Sequence, residues 1–151
     1  MRIRLIKPRW FAHGGVYRFL EEVKFTPLHI AVIAALSDGH DVRLSDNDWE
    51  EIPWDERFDL VGITTATFTS ERAYALADRW RAQGAKVVLG GVHASLLPQE
   101  CLEHADAVVM GEAEYVFTLI IAIVKIGVFL SQTSISSIFC SVGIENPANI
   151  N

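Results

Sequence analysis

The sequence predicts an α/β fold, a three-layer sandwich with a five-stranded parallel sheet between helices. Three observations carry this. Short apolar runs recur along the first 117 residues, continuous rather than alternating, as strands covered on both faces require. Helical patterns fall between most of them, and alternation of this kind implies right-handed crossovers and a parallel sheet. Glycine and threonine follow several of the runs, where open parallel sheets bind their ligands.

The strand segments are Ile3 to Ile6, Val42 to Leu44, Leu60 to Ile63, Val87 to Leu89 and Ala107 to Met110. β-Branched residues dominate several of them. The first helix is expected over 27–37, with Thr26 as N-cap, Pro27 at the first helical position and Gly39 beyond the end. It is apolar nearly all round, which predicts deep packing. The second helix is expected over 71–83, with Ser70 as cap and Gly84 as stop. Its Ala73, Leu76, Ala77 and Trp80 share one face. A short third helix begins near Pro98 and carries Glu100, Cys101 and Leu102. This order is that of a flavodoxin-like, or more broadly Rossmann-like, sandwich.

Composition narrows the function. The 151 residues fit one domain, and a hydrophobic content of 50% supports a core without disulfides or metals. With 13 basic and 19 acidic side chains, a net charge of -6 argues against a nucleic-acid partner. The two cysteines, Cys101 and Cys140, form neither a disulfide framework nor a metal cluster, so they read as ordinary thiols. The opening apolar stretch is too short for a signal peptide and is broken by Pro8-Arg9, which predicts a cytoplasmic protein.

The composition changes near residue 118. From there to Asn151 only Lys125 and Glu145 are charged, and Ile, Ser, Phe and Asn replace Ala, Arg, Asp and Trp. The segment 118–151 reads as an anomalous tail, frameshifted or partly helical, whose first turns can supply a helix after the fifth strand. A membrane anchor is the rival reading, but the apolar run 116–130 contains Lys125 and falls short of the roughly 20 residues a span needs.

The candidate site lies at the strand ends. The third strand leads into Thr64-Thr65-Ala66-Thr67, the fourth into Gly90-Gly91 and His93, the fifth into Gly111-Glu112. Small residues at adjacent strand ends remove bulk from one edge, glycine allows close backbone approach, and threonine adds hydroxyls in little volume. Each glycine alone also fits a plain tight turn; together they fit a slot for a bulky, polar-edged ligand. His93 either donates to that ligand or bonds its own loop. Glu112 and Glu114 are expected to begin the final helix, where acids suit the helix dipole, and Glu112 can reach a ligand amide. His29 sits in the first turn of the first helix and reads chiefly as structural, as does His40 at the opposite edge, while His13 and His104 carry no pattern. The loop from Pro8 to Phe25, with Trp10, Phe11, Tyr17 and Phe19, reads as a lid or as an apolar surface for a neighbour. The chain has no dinucleotide fingerprint, P-loop, nucleophile elbow or zinc spacing. It also lacks the acids of a phosphoacceptor site.

The runs TPLHIAVIAALSDGHDVRLSDND, FDLVGITT, AKVVLGGVHASLLPQE and ADAVVMGEAE, in this order, resemble the cobalamin-binding domain that precedes the barrel of radical S-adenosylmethionine (radical SAM) enzymes. The resemblance covers about Met1 to Phe117. It implies a flavodoxin-like fold that holds cobalamin at the carboxyl edge of the sheet. The loops at Thr64, Thr65 and Thr67, at Gly90, Gly91 and His93, and at Gly111 and Glu112 would then contact the cofactor or its nucleotide tail. It also implies a barrel partner that carries an iron–sulfur cluster and S-adenosylmethionine for methyl transfer or related radical reactions. The cluster needs three cysteines spaced C-x-x-x-C-x-x-C, which this sequence lacks. The chain is therefore expected to be truncated before the barrel and inactive alone. The D-x-H-x-x-G motif of other cobalamin domains is missing, as it generally is in this family, and His29 stands where the family often has glycine. The alternatives are a flavodoxin-like interaction module without a corrinoid, which would fill the slot with side chains, and a nonfunctional fragment.

Overall fold

A computed structural model describes residues 1–9 and 27–126. The elements are β1 (Arg2–Lys7), α1 (Leu28–Ala35), β2 (Asp41–Asp46), β3 (Leu60–Thr64), α2 (Ser70–Ala82), β4 (Lys86–Gly90), α3 (Val92–Leu96), α4 (Pro98–His104), β5 (Ala107–Val108) and α5 (Phe117–Ile126). Short 3₁₀ turns, Thr67–Thr69 and Ala113–Tyr115, precede α2 and α5. The five strands are parallel, in the order β2-β1-β3-β4-β5. This is the flavodoxin-like order, whose switch point lies between β1 and β3.

Side-chain alternation along each strand builds two cores, one per face. Ile3 and Leu5 of β1, Leu60 of β3, and Val88 of β4 pack with Ile30 and Ile33 of α1 and with Phe117, Ile120 and Ile121 of α5. Ile6, Val61, Ile63, Val87 and Leu89 point the other way, onto Ala73, Leu76, Ala77 and Trp80 of α2. That face also receives Ile52 and Phe58 from the long segment between β2 and β3, which holds no helix. The second helix keeps the face that its spacing predicts, and Gly84 ends it with φ +88°.

Several expectations need correction. α1 is not deeply packed: Ile30 and Ile33 are buried, while Leu28 is 72% exposed and Val32 and Leu36 are also exposed. It packs against β1, β2 and the turn Ala113–Tyr115, so one stripe of an all-apolar helix suffices. Pro27 holds the N-cap position rather than the first helical one, its carbonyl accepting from the amides of Ile30 and Ala31; Thr26 lies outside the described residues. β2 is an edge strand, with Leu44 exposed and Ser45 buried, not a strand buried on both faces. Ser70 is the first residue of α2 rather than its cap; Thr69 precedes it, and its hydroxyl accepts from the Ala66 amide and donates to the Ala66 carbonyl. Glu112 and Glu114 sit at the 3₁₀ turn ahead of the last helix, which starts only at Phe117. α5 crosses the change in composition at 118, and Phe117, Ile120 and Ile121 are all buried. Among the described residues no helix is long and apolar enough to cross a membrane. The aromatic loop Pro8 to Phe25 lies almost wholly outside the described residues, as do Cys140 and His13.

Candidate functional site

The tails of β3 and β4 are stitched together by the backbone. The Thr65 amide donates to the Gly90 carbonyl at 2.7 Å, and the His93 amide donates to the Thr65 carbonyl at 3.0 Å. This close approach needs Gly91. Its φ is +105°, and a Cβ there would lie 2.8 Å from the Thr65 carbonyl oxygen and 3.1 Å from the Thr65 nitrogen. A second tie joins the β4 and β5 ends. The Ser95 hydroxyl donates to the Gly91 carbonyl at 3.0 Å and accepts from the Gly111 amide at 2.9 Å.

Beside these loops, on the sheet face that carries α1 and α5, opens a cleft of about 520 Å³. That size is typical of small-molecule sites. Gly62, Leu5 and Val88 form its floor, α1 contributes His29, Ile30 and Ile33, and Phe117 stands at the α5 side. The lining includes Thr64, Thr65, Gly90, Gly91, Gly111 and Glu112. The structure thus brings together six of the eight residues singled out from sequence. The other two are elsewhere: Thr67 is exposed beyond the β3 loop, and His93, only 3% exposed, turns into the opposite side of the domain. There its Nε2 lies 2.9 Å from the Tyr74 hydroxyl and its Nδ1 3.3 Å from the Thr67 hydroxyl. His93 thus bonds α2 and the turn after β3 rather than its own loop.

Sequence reasoning missed Gly62, the α3 residues Val92, Ser95 and Leu96, and Phe117. A glycine inside an apolar strand was a usable signal for Gly62, since it marks close approach of another group. In the structure Leu5 and Phe117 lean over it; a Cβ at Gly62 would meet Leu5 Cδ2 at 2.8 Å and Phe117 Cε2 at 3.6 Å. His29 lines the mouth although it reads chiefly as structural in the sequence. Desolvation, then the charge of Lys7, lowers its pKa and favours the neutral ring.

The lining is mainly apolar, its ionisable side chains being His29, Glu112 and Glu114, with no lysine or arginine among the described residues. One polar atom stands out. Thr65 is 1% exposed, and its Oγ1 has no hydrogen-bond partner among the described residues. A buried hydroxyl without a partner is costly. Val92 and Leu96 of α3, each 68% exposed, give the cleft an apolar rim. No group of three His, Cys, Asp or Glu side chains among the described residues could hold a metal ion.

An open parallel sheet of this order, with a mainly apolar cleft at its carboxyl edge, defines a ligand-holding α/β domain. Residues 22–121 match the B12 binding domain family, and the chain belongs to that family. It is 42% identical over 83 residues to the bacteriochlorophyllide d C-8(2)-methyltransferase of Chlorobaculum tepidum, a match covering 54% of this chain and 18% of that protein. It is 37% identical over 94 residues to the bacteriochlorophyllide d C-12(1)-methyltransferase of the same organism, covering 60% of this chain and 21% of that protein. The matched segments thus span about a fifth of these curated relatives. No solved structure matches the chain.

Proposed function

We propose that the cleft holds the nucleotide tail of cobalamin and that the apolar rim supports the corrin ring above the carboxyl edge of the sheet. The observation that carries this reading is a coincidence of place. The segment matching the B12 binding domain includes every strand end that forms the cleft except that of β1. The residues suit the group. A cleft of 520 Å³ fits a tail and not the whole corrinoid. The mainly apolar lining suits a planar aromatic base, Thr65 Oγ1 needs a partner, and Glu112 and Glu114 can accept from corrin side-chain amides. Side chains filling the slot above Gly90 and Gly111 would favour the interaction-module alternative, whereas both glycines line the cleft.

Bound cobalamin would supply cobalt chemistry; this chain would bind and orient it. In the intact protein the rim would meet a radical SAM barrel that brings the cluster, S-adenosylmethionine and substrate pocket. Both relatives are named methyltransferases, which makes methyl transfer the proposed reaction class. Their matched segments do not extend to most of their length, so the substrate is left to other parts of the protein.

The reading is tested by gel filtration of the full chain with hydroxocobalamin, followed by an absorbance spectrum of the protein peak. Co-elution with a base-off spectrum is expected, with weak retention because the rim faces solvent. A colourless peak from folded protein at saturating cofactor would overturn it.

Thr65→Val gives a second test. Valine keeps the shape and removes the unpartnered hydroxyl, so the cofactor-free domain should gain up to about 1 kcal/mol. Cobalamin affinity should fall several-fold, by the ~0.5–1.5 kcal/mol of one hydrogen bond. Thermal melts and a titration measure both. A loss of stability without ligand would show that the hydroxyl serves the fold instead.

A further inference from the structure

The cobalamin reading leaves one polar cluster without a role, because it lies behind the wall of the cleft rather than in it. That wall is α3. A helix of five residues cannot hold itself in place, since so short a segment is unstable alone. Its Val92, Ser95 and Leu96, at i, i+3 and i+4, line the cleft, whereas His93 and Ala94 are buried behind them.

His93 reaches two other elements. Its Nε2 lies 2.9 Å from the hydroxyl of Tyr74, an interior residue of α2, and its Nδ1 lies 3.3 Å from Thr67 Oγ1 on the turn after β3. The Tyr74 hydroxyl donates to Glu100 Oε1 of α4 at 2.8 Å. One neutral assignment uses every proton: Thr67 donates to Nδ1, Nε2–H donates to the Tyr74 oxygen, and Tyr74 donates to Glu100. Burial, then the contacts with Cys101 and Glu100, raises the Tyr74 pKa, so the phenol remains a donor. Tyr74 is itself fixed by a stacked contact with the His104 ring at 4.2 Å. The cluster therefore ties α3 to α2, α4 and the β3 loop, on the side away from the cleft.

Resting on the cobalamin reading, we propose that His93 is a positioning residue, which sets the depth of α3 and so the distance of Val92 and Leu96 from the opposite wall. Ligand affinity then depends on a hydrogen bond made outside the pocket. Neither His93 nor Tyr74 touches the cofactor; each acts through α3.

The test compares the full chain with His93→Phe, Tyr74→Phe and His93→Gln at a temperature where all are folded by circular dichroism. In hydroxocobalamin titrations, His93→Phe and Tyr74→Phe should weaken binding by about fivefold to tenfold, the effect of one lost hydrogen bond. His93→Gln, which places a donor near the Nε2 position, should recover most of that loss. Amide hydrogen exchange without ligand should quicken at residues 95–97 in His93→Phe and stay unchanged within α2. Wild-type affinity in both phenylalanine variants, or unaltered exchange in α3, would overturn this inference and leave the cobalamin reading intact. A wild-type chain that fails to bind cobalamin would overturn the reading beneath it and this inference together.

Discussion

Gly91→Ala is expected to destabilise the domain by about 2–3 kcal/mol and to remove cobalamin retention. Two costs combine. The backbone at Gly91 has φ +105°, a conformation that costs an L-residue about 1–3 kcal/mol. The new Cβ would also sit 2.8 Å from the Thr65 carbonyl oxygen. Neither backbone can retreat cheaply, because the Thr65 amide is held by Gly90 and its carbonyl by the His93 amide. Relief would have to come from opening the seam between the β3 and β4 tails, which is the floor of the proposed contact with the cofactor. For a domain of this size 2–3 kcal/mol corresponds to a fall in Tm of roughly 5–15 °C. Gly84→Ala is the control. Its φ of +88° carries a similar conformational cost, but a Cβ there meets nothing within 4 Å. Equal Tm shifts for the two variants, read by circular dichroism, would show that the clash with Thr65 contributes nothing.

The sheet was legible because its inner strands are buried on both faces, and continuous apolar runs such as LVGI and VVL, short, rich in β-branched residues and bounded by polar and turn residues, suit a strand better than a helix. The edges were less so. β2 gains its place from pairing with β1 rather than from burial, and four of the six residues in its pattern, DVRLSD, are polar. The clustering of Thr65, Gly91 and Gly111 followed from topology, since parallel strands end together. What sequence could not show was on which face the cleft opens. Strands covered on both sides give no contrast between faces, so the side of Gly62 that Leu5 and Phe117 approach was hidden. His93 was undecidable for a related reason. In a helix of five residues, a single step separates Val92 in the cleft wall from His93 behind it. No periodicity is long enough to phase that step, and the partner that settles it, Tyr74, lies 19 positions away.

Trp80→Ala separates the fold from the site. Trp80 is fully buried in the core under α2, 4.9 Å from the Trp54 ring and 5.7 Å from Phe58 in an edge-on contact. Truncating a buried tryptophan costs about 3–5 kcal/mol. Here a further burden arises, because the Arg4 guanidinium, 4% exposed as a residue, lies 5.8 Å from the Trp80 ring and 4.6 Å from Phe58. Its Nη1 donates to the Pro53 carbonyl at 3.0 Å and its Nη2 lies 3.9 Å from Glu56, but Nε has no partner among the described residues, and the cavity would remove one of the two aromatic faces beside the cation. Trp80→Phe should cost much less, since it keeps part of the ring volume and removes an indole N–H that also has no partner. The cleft lies across the sheet from this core, with no residue of α2 in its lining. Where the Tyr74–His93 bond is kept, the folded fraction of Trp80→Ala should therefore bind hydroxocobalamin with wild-type affinity. Ligand at a hundred times Kd should stabilise both proteins by the same ~2.7 kcal/mol. Thermal melts of both proteins with and without the cofactor measure that increment. A smaller increment in the variant would mean that lost packing under α2 displaces Tyr74 and, through its bond to His93, the α3 wall of the cleft.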